Sequence, residues 1–316
     1  MMSKKEIQIG GQAVIEGVMM RGPDYIATAV RRKDDTIEVH REKFQSITRK
    51  KRILALPVIR GFVSLVEMLI IGFKSLSFSV SRYEMDNEDK NRQIKKSDSR
   101  EKFQEILSFV LAFGLAFLLF AYLPYQLTEW LRLSKGNLYF NLLAGSIRII
   151  FFIVYIWLIS KLKDINRIFQ YHGAEHKSVY AYENGCRLVP GEIQRFTTRH
   201  PRCGTSFIFL VLLISIAVFS IVDTLVTAFW GYPQVFVRLG YHLLLIPLIS
   251  GLSYELLKLS SRNINHPLVK VITAPGLILQ KITTQPPDDK QVEVAVIAMQ
   301  CALEIEPAAQ EKIKYL

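Results

Sequence analysis

The sequence has 316 residues, of which 50% are hydrophobic, and its mean hydropathy of +0.22 is typical of a polytopic membrane protein rather than a soluble or disordered chain. It contains 40 Lys and Arg against 28 Asp and Glu, which gives a net charge of +12. Because the basic residues are not interleaved with aromatic ones as in a single-strand platform, we predict contact with anionic lipid headgroups and no binding of nucleic acid.

The first region, residues 1–52, is predicted to be a cytoplasmic, glycine-rich β region. Its start, MMSKKEIQIGGQAVIEG, has neither the apolar run nor the small-residue cleavage site of a signal peptide, so the N-terminus is expected to stay in the cytoplasm. Residues 25–32 and 36–44 alternate partly between apolar and polar types, which indicates a β-hairpin.

Within this region, IGGQAVIEGVMMRGP (9–23) places four glycines around one acid, Glu16, and one base, Arg21. Glycine permits positive φ and close backbone approach, so the stretch is able to wrap a ligand. A bulged strand that binds nothing is the alternative.

Residues 53–80 are apolar but place Arg60, Glu67 and Lys74 at seven-residue intervals, which keeps the charges near one helical face. We therefore predict an amphipathic helix that lies in the inner membrane interface or re-enters it. The alternative, a fifth span, would move the basic N-terminal region outside, against the positive-inside rule. Residues 81–104 are rich in charged residues and are predicted to be a solvated linker.

Four later runs are long enough to cross about 30 Å of hydrocarbon, which takes roughly 20 helical residues. Together they make 105–257 a four-helix transmembrane core in this prediction. The four runs are 105–124, 138–159, 206–227 and 234–257.

The loops between these runs predict the orientation. Loop 160–205 has eight Lys and Arg, whereas 125–137 has two and 228–233 has none. Because cytoplasmic loops carry the excess of basic residues, we predict a multi-pass protein of the cell inner membrane with this loop and both termini in the cytoplasm.

The basic loop contains HGAEH, in which His172 and His176 are one helical turn apart and able to reach the same Zn²⁺ ion. This sequence matches H-x-x-E-H, the inverted zinc-peptidase pattern in which the carboxylate, here Glu175, is the base for a metal-bound water. The alternative is a polar juxtamembrane patch whose imidazoles bind headgroups or backbone.

A second cluster, RHPRCGTSF (199–207), supplies two further candidate metal ligands, His200 and Cys203, at a separation that lets nitrogen and sulfur share an ion. A turn punctuated by Pro201 and Gly204 is the alternative. Glu255 is a fifth candidate ligand, or else a helix-end residue paired with Lys258 or Arg262.

Ionisable residues inside the predicted spans are a separate signal. Arg148, Asp223 and His242 are either part of a transport pathway or a structural network between helices.

After the spans, residues 258–316 are predicted to be a cytoplasmic segment with an amphipathic helix at 292–305. Three cysteines, Cys186, Cys203 and Cys301, are too few for a disulfide framework and are expected to be reduced.

Several blocks in this order resemble the YqhQ-like family of bacterial membrane proteins, a domain of unknown function. The blocks are GGQAVIEGVMMRGP, YHGAEHK, HPRCGTSF, SYE with a later APGLILQ, and TTQPPDD followed by EVAV. The resemblance covers nearly the whole chain and implies a predicted metal-dependent membrane protein without an established reaction. It also falls on the segment from Thr283-Thr284 to Asp288-Asp289, with Gln285 where an acid is expected. The single residues that it covers are Glu16, Arg21, His172, Glu175, His176, His200, Cys203 and Glu255.

The leading hypothesis is a membrane protein with a cytoplasmic Zn²⁺-type divalent metal site. His172 and His176 are its ligands, completed by Cys203, His200 or Glu255, and Glu175, Glu16 and Arg21 are the catalytic candidates. If the site is catalytic, metal-assisted hydrolysis of an unknown substrate is the expected reaction class. A complete His₃Cys set would instead close the coordination sphere. The alternatives are a transporter or channel component and a non-enzymatic membrane anchor or scaffold, and homo-oligomerisation stays open.

Overall fold

The structure of the protein is a computed structural model that describes residues 9–87, 99–131, 137–263, 266–306 and 310–316. The described chain is mainly helical and includes one five-stranded sheet. It divides into two compact units. The first takes Met1–Asn87, Ile159–Phe209 and Ser250–Leu316, and the second takes Glu88–Leu158 and Leu210–Ile249.

The sheet belongs to the first unit, and its strands follow one another in spatial order. The first four strands are antiparallel, and β5 returns from the far end of the chain to pair parallel with β4. The predicted hairpin at 25–32 and 36–44 corresponds to β3 and β4. The strands are β1 (Gly10–Val14), β2 (Gly17–Arg21), β3 (Tyr25–Arg31), β4 (Ile37–Lys43) and β5 (Ile313–Tyr315).

Eleven α-helices occur in the described part of the chain. A π-helical turn at Leu118–Tyr122 joins α3 to α4, and 3₁₀ turns occupy Arg52–Ala55 and Gln310–Lys312. The helices are α1 (Ile47–Lys50), α2 (Ile59–Asn87), α3 (Ser99–Phe117), α4 (Leu123–Trp130), α5 (Leu138–Ile159), α6 (Lys163–Glu183), α7 (Pro190–Ile193), α8 (Gly204–Trp230), α9 (Val235–Arg262), α10 (Pro267–Thr283) and α11 (Asp289–Ala302).

Five helical stretches are long and apolar enough to cross a membrane: Ile59–Asn87, Val110–Trp130, Leu138–Ile159, Gly204–Trp230 and Val235–Ser260. The last four overlap the four runs expected from the sequence, and the first is α2. The protein is therefore a membrane-type helical protein. Residues 88–98, in the middle of the predicted linker, lie outside the described part of the chain.

Helix α2 starts later and ends later than the sequence suggested. Leu56, which precedes Pro57, is extended with ψ 145°, and Val58 has a left-handed φ of 70°, so the helix begins only at Ile59. From there it continues to Asn87, into the stretch expected to be linker.

The alternation of side chains along β2 and β3 creates two buried layers in the first unit. Met19 and Ile26 pack on one face of the sheet against Ile71 of α2. On the other face, residues such as Val18 and Ala27 pack against α11 and α6, in a core that includes Tyr171.

Helix α11 overlaps the amphipathic helix expected at 292–305, and it is a core helix. A capping box of Asp288 and Gln291 fixes its start. Its apolar residues occur on every face, and the run from Val294 to Met299 is buried throughout. The helix accordingly packs on β2 and β3, beside α6, which packs on β1.

The second unit contains the ionisable residues expected inside the membrane. The buried Asp223 carboxylate accepts hydrogen bonds from Arg238 and Tyr241 and lies 2.9 Å from Nε2 of His242. Nε of Arg148 donates to the Phe120 carbonyl at 2.6 Å instead of binding Asp223 directly. These contacts support the structural-network interpretation of the intramembrane charges.

Candidate metal centre

His172 and His176 lie next to each other on the inward face of α6. The helix carries the two rings one turn apart, and their centroids are 4.4 Å from each other. The half-buried His172 and the buried His176 thus present two imidazole nitrogens on one side of the helix.

Cys203 completes a group of three ligand-type side chains. It precedes α8, and its Sγ lies 3.2 Å from Nε2 of His172. One potential ligand atom each from His172, His176 and Cys203 lies within 4.8 Å of the other two. Imidazole and thiolate groups at such distances are able to bind one Zn²⁺ ion, with bond lengths of about 2.0–2.3 Å.

Backbone carbonyl groups orient both imidazoles. Nδ1 of His172 is 2.8 Å from the carbonyl oxygen of Thr283, and Nδ1 of His176 is 2.5 Å from that of Thr198. In each ring the Nδ1–H donates to the carbonyl, which leaves Nε2 as the atom with a free lone pair. Metal-binding histidines in proteins are held in this way.

Nε2 of His176 is the least satisfied polar atom of the site. It is buried and has no hydrogen-bond partner among the described residues. Burial lowers the pKa of His176, so the ring is neutral at pH 7 and Nε2 is an unused acceptor. A buried acceptor without a partner is costly, and a bound cation would satisfy it.

Gly173 allows α6 to come close to the segment that carries the Thr283 carbonyl. A Cβ atom at this position would lie 2.1 Å from the carbonyl oxygen of Gln285. The Gln285 N–H in turn donates to the carbonyl of Phe169 at 2.9 Å. Only glycine permits this approach, which helps to position the His172 ring.

His200 lies beside the group of three without joining it. Its Nε2 is 3.4 Å from a carboxylate oxygen of Glu183, and its Nδ1 accepts from the Arg202 N–H at 3.3 Å. The ring centroid is 5.8 Å from that of His176. Burial lowers the pKa of His200 to about 4, so this ring too is neutral.

Glu175 points to the sheet side of α6. One of its carboxylate oxygens accepts the backbone N–H of Gly11 at 3.0 Å, and burial raises its pKa while the nearby His172 opposes the rise. A Cβ at Gly11 would lie only 2.2 Å from the Met19 carbonyl oxygen and 3.2 Å from Cγ of Glu175, so this position requires glycine.

The two other catalytic candidates are separated from each other. Glu16, in the β1–β2 turn with φ 54°, binds Arg167 and accepts from the Tyr171 hydroxyl at 3.2 Å. Arg21 lies over the Phe44 ring, 4.5 Å from its centroid. The Arg167 partner was not foreseen, because 151 residues separate it from Glu16.

Glu255 lies outside the group of three and holds the start of α2. Its carboxylate binds Nε of Arg60 at 2.6 Å and accepts the Val58 N–H at 3.4 Å. The sequence had suggested a metal ligand or a partner for Lys258 or Arg262. Neither expectation included Arg60, which lies 195 residues away in the chain.

A cavity of about 510 Å³ opens beside the group of three. His176 and Cys203 contribute to its wall together with Glu175, His200 and Arg21, whereas His172 is not among its lining residues. Three of the five sequence-predicted ligands therefore converge, and two of those three border an open space.

Comparisons with known proteins add relatives. The family model described as "Protein of unknown function (DUF1385)" matches residues 56–305. The "Uncharacterized protein YqhQ" of Bacillus subtilis (strain 168) is 31% identical over 320 residues, which cover 99% of this chain and 98% of that protein. No solved structure matches the chain.

Proposed function

The chain belongs to the YqhQ-like DUF1385 family, and we propose that it is an inner-membrane protein that binds one Zn²⁺ ion through His172, His176 and Cys203. The observation that carries the proposal is the buried, unpartnered Nε2 of His176, which belongs to a group of ligand atoms within 4.8 Å of one another. Two imidazoles and one thiolate form a donor set that suits Zn²⁺.

The proposed site is open rather than closed. His200 has neighbours at both ring nitrogens, so three protein ligands leave a fourth position at the cavity side of His176 and Cys203. A three-ligand Zn²⁺ ion with an open position is typical of catalytic sites, where the ion acts as a Lewis acid. Metal-assisted hydrolysis is therefore the proposed reaction class.

Two side chains of the cavity have proposed roles in that reaction. Glu175, held by the Gly11 N–H, would accept a proton within the cavity, as the carboxylate of an H-x-x-E-H helix does. Arg21 would hold an anionic group of the substrate, because its guanidinium borders the same space.

We further propose that α2 does not cross the membrane, and that the remaining four candidate spans form the transmembrane core. The sheet and α6 share one hydrophobic core, so they lie on one side of the membrane. An even number of crossings must then separate residue 46 from residue 163, although three candidate spans lie between them.

Helix α2 is the candidate span that fits a non-crossing position. It follows the sheet along most of its length. Glu67 binds Ser46 near its start, and Oγ of Ser75 lies 3.1 Å from Oγ1 of Thr28. Near its end, Asp86 binds Arg32. Its opposite side exposes an apolar stripe suited to the lipid interface. The stripe consists of Val66, Leu69, Ile70, Phe73 and Leu76.

Metal analysis of the detergent-purified full chain tests the metal proposal. Wild type is expected to retain about one Zn²⁺ per chain, and His172→Ala and Cys203→Ser to lose it. Cys186→Ser and His40→Ala are matched controls, since Cys186 and His40 lie outside the group of three, and both should keep the ion. Wild type that contains no zinc and takes up none on addition would refute the proposal.

Cobalt substitution gives a second readout that does not depend on zinc content. Co²⁺ bound by Cys203 is expected to produce a thiolate-to-metal charge-transfer band that persists in Cys186→Ser and disappears in Cys203→Ser. A band that persists in Cys203→Ser would contradict the assigned ligand.

Labelling of single cysteines introduced into Cys186→Ser, which removes the reactive native thiol, tests the topology. Arg52→Cys and Asn87→Cys, before and at the end of α2, should both react with an impermeant maleimide in inverted vesicles and not in intact cells. Gln234→Cys, between α8 and α9, should show the opposite pattern. Opposite labelling of positions 52 and 87 would mean that α2 crosses.

A further inference from the structure

The cavity beside the proposed metal site joins a charged wall to an apolar wall. Arg21, Arg49 and Arg202 are the basic residues among its lining side chains, and Glu175 is the acidic one. The apolar wall comes from the candidate span α2 and from the ends of α8 and α9 that belong to the first unit. This wall consists of Leu65, Met68, Phe207 and Leu257.

Arg21 is the basic residue best placed to bind an anion. Arg202 binds Glu183, and Arg49 lies 3.4 Å from Asp24. Within the described part of the chain, Arg21 has no ion pair, and its Nη1 instead contacts Sδ of Met68 at 3.1 Å.

The neighbouring acid Glu67 does not form an ion pair with Arg21. Burial lowers the pKa of Arg21, and the nearby Glu67 carboxylate opposes this fall. Glu67 is itself bound by the Ser46 hydroxyl at 2.9 Å and the Ile47 N–H at 2.7 Å. The Arg21 guanidinium therefore has donors available for a ligand, and its planar fork suits a phosphate group.

We infer that the cavity binds an anionic phospholipid, with the phosphate on Arg21 and an acyl chain along Leu65 and Phe207. A volume of about 510 Å³ is in the range of small-ligand sites and accommodates a headgroup with the first part of a chain. The start of α8 and the end of α9 lie on one side of a pair of consecutive spans, which is where headgroups are found.

The inference deepens the proposed function. It rests on that function in one respect, namely that a metal ion would lie beside the bound headgroup. His176 and Cys203 border the same cavity as Arg21, so a phosphate held by the guanidinium lies in the space onto which the metal ligands open. The lipid would then be the substrate class of the site. Binding through Arg21 does not itself require the ion.

Native mass spectrometry of the full chain in detergent tests the inference with two lipids that share acyl chains, dioleoyl-phosphatidylglycerol and dioleoyl-phosphatidylcholine. Wild type is expected to bind the anionic lipid at least about tenfold more tightly, as one charge-assisted contact would provide. Arg21→Gln should abolish the preference. Arg187→Gln makes the same charge change at an exposed position outside the cavity and should keep it.

Four further measurements make the outcome decisive. The thermal unfolding temperature in detergent reports whether Arg21→Gln is folded, and Leu65→Trp, which fills the apolar part of the cavity, should also weaken lipid binding. Cys203→Ser should lose metal and keep the lipid preference, which separates the two proposals. Glycerol phosphate, which lacks acyl chains, should bind much more weakly.

Specific outcomes would overturn the inference. Equal affinity for the two lipids, or a preference that survives in folded Arg21→Gln, would exclude Arg21 as the phosphate site. Glycerol phosphate that binds as tightly as the lipid would identify a soluble phosphate ligand instead. Loss of the preference in Cys203→Ser would show that Arg21 alone does not hold the headgroup.

Discussion

Gly173 lies between the two histidines of HGAEH, at the closest approach of α6 to residues 283–287. In Gly173→Ala the new Cβ would lie 2.1 Å from the Gln285 carbonyl oxygen, so the segment must move by about 1 Å to reach an ordinary C···O distance. The Thr283 carbonyl, now 2.8 Å from Nδ1 of His172, would move with it beyond hydrogen-bonding distance.

The size of the effect depends on which property is measured. Overpacking costs about 1–3 kcal/mol in folding free energy, but alanine in a helix returns about 1 kcal/mol relative to glycine. Stability should consequently change little. Loss of the carbonyl that orients a metal-binding histidine typically weakens metal affinity about 10–100-fold, so zinc affinity is the sensitive quantity.

Competition with a chelator of known affinity measures this change in the detergent-purified protein. Gly191→Ala is the matched control, because Gly191 is helical and a Cβ there meets nothing within 4 Å. It should bind zinc like wild type. Wild-type zinc affinity in Gly173→Ala would refute the argument that the close approach positions His172.

Three further predictions concern residues outside the metal group. Asp223→Asn leaves Arg238 without its charged partner in the second unit and should cost about 3–5 kcal/mol, measured as a lower thermal unfolding temperature in detergent. Glu16→Gln weakens a partly exposed pair with Arg167, so it should cost no more than about 1 kcal/mol in the same assay and leave the zinc content unchanged. Burial raises the pKa of the Cys301 thiol, so an alkylating reagent should modify half-buried Cys186 and spare Cys301 in the native protein, as peptide mapping would reveal.

The sequence was informative where a pattern is local. Long apolar runs identify helices from their composition alone, and the run at 138–159 coincides with α5. The alternation in 25–44 predicted β3 and β4. The spacing of His172 and His176 fixes their common face, and the choice of Cys203 as a third candidate followed from residue chemistry in the same loop.

Contacts between distant segments could not be predicted in this way. The carbonyl groups that hold the two imidazoles belong to Thr198 and Thr283, and a backbone carbonyl leaves no trace in the sequence. Glu255 was a candidate ligand because it is acidic, yet its partner Arg60 is apparent only from the packing of α2 against α9. An amphipathic helix was expected at 292–305, and the burial of α11 depends on its packing against the sheet and α6.

The parallel pairing of β5 with β4 joins residues about 275 positions apart, since Ile37 is opposite Ile313. During synthesis the ribosome therefore releases the first four strands long before α11 and β5 emerge to complete their core. Chains that stall after the membrane helices would expose the apolar face of the sheet, which makes them natural targets for chaperones and proteases. Assembly of the proposed metal site would be among the last events in maturation, because the Thr283 carbonyl that orients His172 also emerges late.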